Sequence, residues 1–309
     1  MELREPFNTS EFSFENLFDD QKLQYLILFI LVISYFVVVF GNLTIIAAIW
    51  MAPHLHTPMY IFLMNLSTID IASTSNIIPK LLYMLITNDN TISFWECIAQ
   101  LYLFVLLICT EVVLLTAMAY DRYVAICHPL NYISKMSIRH CAGLSVTSWT
   151  VGVLNPIGHI ALISKMYFCD SHKISHFFCD VSPLLKISCS DLSVVEMLNY
   201  IEGTLLAFTS FIFTLISYIS IISAILNIKT SKGRSKAFST CSSHLTCIIL
   251  FYGTITSLHM QPTSSYSSKQ NKWFALVYTV LVPMLNPFIY SLKNKDVNKA
   301  LLKFQKKWI

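Results

Sequence analysis

The segment YLILFILVISYFVVVFGNLTIIAAIW, residues 25–50, contains no Asp, Glu, Lys or Arg. The hydrocarbon core of a bilayer requires about 20 mostly apolar residues per helix, so this segment is long enough to cross a membrane. Six further apolar runs follow it, at residues 58–86, 96–120, 141–163, 196–226, 237–260 and 273–292. The sequence therefore predicts an all-α membrane protein whose seven transmembrane helices form a bundle.

The overall composition supports a membrane protein. Of the 309 residues, 55% are hydrophobic and only 12% are charged, whereas a soluble domain carries about a quarter of its residues as charged side chains. No metal-ligand pair, nucleophile–base set or glycine-rich phosphate loop stands out among the seven glycines. The sequence therefore does not indicate an enzyme.

Basic residues indicate how the chain is oriented. If the N-terminus is extracellular, thirteen of the 21 Lys and Arg residues fall on the inner side, as the positive-inside rule requires. We expect an extracellular tail (1–24), a seven-helix domain (25–292) and a cytoplasmic amphipathic helix and tail (293–309). The net charge of +4 reflects this topology. The sequence thus predicts a multi-pass plasma-membrane protein with lipid as a partner and no nucleic-acid partner.

Cysteines and one asparagine mark the predicted outer side. Four of the nine cysteines fall there, where oxidising conditions permit disulfides: Cys97, Cys169, Cys179 and Cys189. Four cysteines allow three pairings, and spacing alone does not choose among them. Asn8 begins an Asn-Thr-Ser glycosylation acceptor in the polar tail.

Three acidic residues lie inside predicted spans, where charges are rare and often functional. They are Asp70 in the second span, Glu111 in the third and Glu202 in the fifth. If the second and third helices face each other, Asp70 and Glu111 meet and share a proton or hold a cation such as Na⁺. A polar staple with Asn42, Ser67 and Asn286 is the alternative, and a transporter also uses such carboxylates. We expect no other cofactor and no metal.

Two further features suggest a conformational switch, although the first, a kinked helix, also suits packing around a bend. Pro283 and Pro287 bracket Asn286 in the last span, and each proline removes a helical hydrogen bond. Asp121 and Arg122 follow directly after the third apolar run. This ionisable pair is either a staple between loops or a switch facing a cytoplasmic partner.

Several motifs together identify a family. The general ones are Gly41-Asn42, Asp70, Cys97, Asp121-Arg122-Tyr123, Trp149, Tyr218 and Asn286-Pro287-Phe288-Ile289-Tyr290. The more specific ones are HLHTPMY (54–60), MAYDRYVAICHPLNY (118–132), KAFSTCSSHL (236–245) and PMLNPFIYSLKNK (283–295). From residue 25 to about residue 302, the chain resembles a rhodopsin-like G-protein-coupled receptor of the olfactory (odorant) branch.

The resemblance implies a receptor that binds small volatile molecules and activates a stimulatory olfactory G protein to raise cAMP. It also implies the disulfides Cys97–Cys179 and Cys169–Cys189. A non-odorant rhodopsin-like receptor is the nearest alternative. A cation- or proton-coupled transporter is more remote, since such proteins commonly contain internal repeats and none is visible.

Helical spacing predicts where a ligand binds. One face of each of four helices contributes to an apolar cup. Its residues are Phe104, Val105, Ile108, Cys109, Glu202, Leu205, Leu206, Tyr252, Ile255, Thr256, His259, Leu276 and Thr279. Burial of an unpaired ionisable group is unfavourable, so we expect Glu202 and His259 to pair or to contact a polar group of the ligand.

The resemblance also assigns a switch at the inner side. Its residues are Asp121, Arg122, Tyr123, Tyr218, Asn286, Pro287 and Tyr290. The Asp121–Arg122 contact is expected to hold the resting state and to break when the G protein binds. In the HFFCD segment, His176 and Cys179 also fit a soft-metal site with His172 and Cys169, but the disulfides compete for both cysteines.

Overall fold

A computed structural model gives the fold. The structure describes residues 11–16, 20–168, 172–259 and 268–293, and of residues 236, 239, 240, 243, 258, 259, 268–270 and 290–293 it describes the backbone only. Asn8, Cys169 and the predicted amphipathic helix beyond residue 293 lie outside the described residues.

Helices, most of them long, form most of the described chain. They are α1 (Gln21–Met51), α2 (Pro58–Thr87), α3 (Phe94–Cys127), α4 (Tyr132–Lys135), α5 (Ile138–Leu154), α6 (Pro156–Ile163), α7 (Val181–Ile187), α8 (Ser193–Gly203), α9 (Thr209–Leu226), α10 (Ser231–His259), α11 (Ser268–Leu276) and α12 (Val282–Lys293). A π-helical turn, Thr204–Phe208, joins α8 to α9, and another, Val277–Leu281, joins α11 to α12. Short 3₁₀ turns, Pro53–Leu55 and Pro129–Asn131, follow α1 and α3.

The helices have the length and hydropathy of membrane spans. Six within the described residues are long and apolar enough to cross a bilayer: Gln21–Met51, Pro58–Thr87, Phe94–Cys127, Ile138–Ile163, Ser193–Leu226 and Asn271–Ile289. A shorter apolar stretch, His244–Ser257, lies within α10, where the sequence predicts the remaining span. The chain is therefore a multi-pass helical membrane protein.

Local sequence determines where the helices begin and end. Ser93 caps α3: its hydroxyl accepts from the Glu96 amide at 3.3 Å, while the Glu96 carboxylate accepts from the Ser93 amide at 3.0 Å. This reciprocal capping box satisfies two amides that the first turn leaves without helical partners. At the C-terminal end of α2, Asn88 adopts the left-handed conformation, with φ 56°, which terminates the helix.

A small sheet lies across one end of the bundle, which we call the sheet end. Strand β1 (Glu11–Phe14) pairs antiparallel with β2 (Thr91–Ser93) and parallel with β3 (Lys173–Ile174). Alternate residues of β1, Phe12 and Phe14, are buried, as the two-residue period of a strand requires. The all-α prediction is therefore incomplete, because part of the predicted polar tail forms a strand.

Helix α3 is at the centre of the bundle and packs against α2, α5 and α9. Close approach of α5 depends on Gly152, where an added Cβ would lie 1.9 Å from Oγ1 of Thr110 and 2.7 Å from the carbonyl oxygen of Leu106. Trp149 of α5 also donates a 2.9 Å hydrogen bond to Asn65 of α2. These contacts fix the helices that carry the buried acidic residues. We call the end of the bundle opposite the sheet the Arg122 end.

Candidate ligand site and switch residues

Asp70 is bound by the last helix. Its carboxylate is buried, and each of its oxygens lies 3.0 Å from the amide nitrogen of Asn286 in α12. The side-chain oxygen of Asn286 in turn accepts from the thiol of Cys247 in α10 at 3.2 Å. A buried hydrogen-bonded chain thus connects α2, α12 and α10.

Glu111 has a separate partner from the same part of the chain. The hydroxyl of Tyr278, in the π-helical turn before α12, donates to Oε2 of Glu111 at 3.1 Å. Both side chains are buried, and the Glu111 charge acts on Asp70. Each carboxylate is therefore bound by its own donor from the last span, and the described contacts include no direct bond between the two acids.

At the Arg122 end, Asp121 has two partners. Arg122 donates through Nε to Oδ2 of Asp121 at 2.9 Å and through a second guanidinium nitrogen to the same oxygen. The hydroxyl of Tyr132 in α4 donates to Oδ1 at 2.8 Å. Because Asp121 is buried, both of its oxygens depend on these donors.

Two other predicted switch residues, Tyr218 and Tyr123, contact histidines. The hydroxyl of Tyr218 in α9 lies 2.8 Å from Nδ1 of His244 in α10, and both residues are buried. The Tyr123 hydroxyl lies 3.1 Å from Nε2 of His128. Pro287 is buried in α12, while the Tyr290 side chain lies outside the described residues.

Most of the predicted cup residues face the interior. Phe104, Ile108, Cys109, Tyr252, Ile255 and Thr279 are buried, and Val105, Leu206 and Leu276 are partly buried. Leu205 and Thr256 are exposed, so the structure does not bring them to the interior. Leu205 lies in the π-helical turn Thr204–Phe208, whose wider winding changes the face that each residue presents. The side chain of His259 lies outside the described residues.

Aromatic rings cover the cup from the sheet end. The ring of Phe104 in α3 contacts Phe178 edge-on, with centroids 4.8 Å apart, and lies 6.1 Å from the ring of Tyr278. A disulfide joins Cys179 to Cys97 at the start of α3, as predicted, and so holds Phe178 over Phe104. This bond also removes Cys179 as a metal ligand. Cys189 takes part in a disulfide as well, and Cys169, its predicted partner, lies outside the described residues.

Comparison with known proteins identifies the family. A family model described as "Olfactory receptor" matches residues 31–307. Human olfactory receptor 8D1 is 46% identical over 295 residues, which is 95% of this chain and 96% of that protein. Mouse olfactory receptor 5AR1 is 43% identical over 294 residues, 95% of each chain.

The chain belongs to the olfactory receptor family.

Glu202 of this olfactory receptor lies opposite a residue that the sequence pattern did not single out. Its Oε2 is 3.2 Å from Nδ1 of His159 in α6, and the His159 side chain is 5% exposed. The predicted pairing of Glu202 was with His259. Helical spacing indicates that His159 faces inward with Pro156 and Ile163. It does not indicate which residue of a neighbouring helix faces His159.

Two other contacts in the receptor had only a weak sequence signal. His244 is the penultimate residue of the KAFSTCSSHL motif, and Tyr132 ends MAYDRYVAICHPLNY. The motifs mark both segments, whereas the contacts to Tyr218 and Asp121 emerge only once helices α9 and α10, and α3 and α4, are placed together.

Proposed function

We propose that the receptor binds small volatile molecules in the cup and activates a stimulatory olfactory G protein, raising cAMP. Membership of the olfactory receptor family is the observation that carries the proposal. The predominantly apolar, buried character of the cup supports it, because such a site excludes water while a few polar groups orient the ligand.

The proposed topology has seven spans, with α10 as the sixth, an extracellular sheet end and a cytoplasmic Arg122 end. The excess of Lys and Arg in segments of the Arg122 end supports this orientation. Leu130 and Ile133, beside Tyr132, are 99% and 87% exposed. These apolar side chains provide a contact surface for the G protein at the Arg122 end.

The proposed mechanism is a population shift. A ligand beneath Phe178 contacts Phe104 and Tyr278, and Tyr278 is hydrogen-bonded to Glu111. Because the ligand binds the active arrangement more tightly than the resting one, its binding favours a position of α10 that is shifted relative to α3 and α9. Arg122 then leaves Asp121 and contacts the G protein, with Tyr218 and Tyr290 as polar partners.

Asp70 and Glu111 form the proposed proton or cation site within this mechanism. Two buried carboxylates that interact electrostatically favour a shared proton or a bound Na⁺. If Na⁺ binds, raising NaCl at constant ionic strength, with choline chloride as the balance, will raise the melting temperature of the purified receptor. Asp70→Asn will remove that effect. A sodium-independent melting temperature would leave proton sharing as the role of the pair.

The function is tested by expressing the full chain with an olfactory stimulatory G protein and measuring cAMP after addition of odorant mixtures. Arg122→Ala is expected to abolish the response while ligand binding survives. Arg139→Ala, an exposed arginine at the same end, is the matched control and is expected to keep most of the response. A receptor that reaches the surface and stays silent to every odorant class contradicts the proposal.

A further inference from the structure

His159 and Glu202 are an unusual pair for a membrane interior. Helix α6 packs against α8, and the two side chains meet between them at 3.2 Å. Neither ring nitrogen of His159, nor Oε2 of Glu202, makes a hydrogen bond of ordinary geometry within the described residues, although all three atoms are buried. The Asn199 side chain makes only a looser hydrogen-bonding contact with the imidazole. These buried atoms of His159 and Glu202 can therefore still form well-aligned hydrogen bonds with another group.

Open capacity of this kind is unfavourable for a purely structural contact. A buried donor or acceptor without a partner costs about 1–3 kcal/mol, so a structural staple is expected to have well-formed bonds. A nearby polar group follows that rule: the thiol of Cys109 donates to the side-chain oxygen of Asn155 at 3.1 Å. The His159–Glu202 pair differs from Cys109 in this respect.

The position of the pair connects it to the cup. Glu202 acts electrostatically on Cys109, a residue of the predicted cup. It also lies two residues before the π-helical turn Thr204–Phe208, and such turns are frequent at functional sites. Within α8 and α9, Glu202 shares the inward face with Val195, Leu206 and Ser210. The pair therefore borders the proposed ligand site.

We propose that His159 and Glu202 form a polar subsite that recognises the hydroxyl group of an alcohol or phenol; this rests on the proposed odorant-binding function. A hydroxyl has one donor and two acceptor lone pairs. It donates to Oε2 of Glu202 and accepts from the imidazole N–H of His159. An ether or ester lacks the donor, and a protonated amine lacks the acceptor, so neither satisfies both side chains.

The test is a set of cAMP dose–response curves with straight-chain, terpene and phenolic alcohols, each paired with its methyl ether. For the wild-type receptor, at least one alcohol is expected to act at a concentration tenfold or more below that of its ether. This ratio corresponds to about 1.4 kcal/mol, which is within the net range of about 0.5–1.5 kcal/mol for a typical hydrogen bond. In His159→Phe and Glu202→Gln, the ratio of the effective ether concentration to the effective alcohol concentration is expected to fall towards one.

Matched controls separate recognition from folding. Glu196→Gln makes the same change at an exposed position of α8, and His140→Phe does so at an exposed position of α5; both are expected to keep the wild-type ratio. Surface labelling reports folding, and His159→Asn supplies a smaller polar variant if the Phe variant does not reach the surface. An unchanged ratio in the Glu202 and His159 variants overturns the subsite. A receptor activated by esters or ketones but by no alcohol also overturns it while leaving the proposed function intact. Silence to all classes contradicts both.

Discussion

Lys272, in the last span, donates a 2.8 Å hydrogen bond to Oε2 of Glu15, which directly follows strand β1. Ser175, next to β3, donates to the other oxygen of the same carboxylate at 3.1 Å. The hydrogen bond from Lys272 is the main reason that the pKa of Glu15 lies below its ordinary value. Glu15 is therefore ionised at neutral pH and joins three separate parts of the chain at the sheet end.

Glu15→Gln and Lys272→Met are each expected to lower the free energy of unfolding by about 0.5–1 kcal/mol, since the pair is partly exposed. If the two residues stabilise each other, the double variant will lose no more than either single variant. Thermal unfolding of the purified receptor measures these differences, with Glu11→Gln as the exposed control on the same strand. Because the folded-state pKa is lowered, the contribution is present above about pH 4.5 and is lost below it.

Burial, with a smaller contribution from the Lys272 charge, lowers the pKa of His176 to about 3, from an ordinary value of 6.5. The folded state keeps this imidazole neutral while the unfolded chain binds a proton below pH 6.5, so stability is expected to fall as pH falls. Between pH 6.5 and about pH 5 the loss is about 2 kcal/mol.

His176→Phe is expected to flatten this pH dependence while keeping the ring contacts to Phe177 and Phe178. Lys272 is a charged group that acts on His176, and its pairing with Glu15 is retained throughout this pH range because the pKa of Glu15 is lowered by that pairing. Melting temperatures measured at several pH values test the prediction, and His140→Phe, at an exposed position, should leave the slope unchanged. An identical slope in His176→Phe would contradict it.

Phe12 anchors strand β1. Its side chain is 1% exposed and contacts the ring of Phe168 edge-on, with centroids 5.1 Å apart. Phe12→Ala is expected to cost about 3–5 kcal/mol, because a large buried ring is replaced by a cavity. Surface labelling should therefore fall sharply, whereas Trp95→Ala, at an exposed position nearby, should have little effect. Normal surface levels and an unchanged melting temperature for Phe12→Ala would show that the strand does not contribute to stability.

Tyr132 is predicted to restrain signalling. Its hydroxyl holds one oxygen of Asp121 while Arg122 holds the other. Tyr132→Phe removes a hydrogen bond worth about 1 kcal/mol from the resting arrangement, which corresponds to about a fivefold shift towards the active state. Basal cAMP, normalised to surface receptor, should rise accordingly. Tyr120→Phe, which changes an exposed tyrosine of α3, serves as the control; equal basal signals in the two variants would refute the restraint.

The helices are predictable from sequence because a long apolar segment within a bilayer must satisfy its backbone groups internally. Strand β1 is not predictable in this way. Its four residues, Glu11–Phe14, alternate in burial, but so short a pattern does not reveal that its partners are Thr91–Ser93 and Lys173–Ile174. Such pairing depends on where the helices bring the loops.

Side-chain contacts at the site are likewise predictable when they are local in sequence and unpredictable when they join different helices. Asp121 and Arg122 are adjacent in sequence, and their contact is local. The hydrogen bonds of Asp70 to Asn286 and the close contact of Glu202 with His159 join different helices, so they depend on rotation and tilt within the bundle. Leu205 shows the limit of helical spacing, because a π-helical turn alters the periodicity on which the prediction relied.

The long-range contacts of Glu15 have a consequence for biosynthesis. A ribosome makes β1 first, but Ser175 is translated 160 residues later and Lys272 257 residues later. The residue that follows β1 therefore acquires its last partner, Lys272, only after most of the chain has been translated. A chain arrested before Lys272 would carry the complete sheet without the ion pair that ties it to the final span.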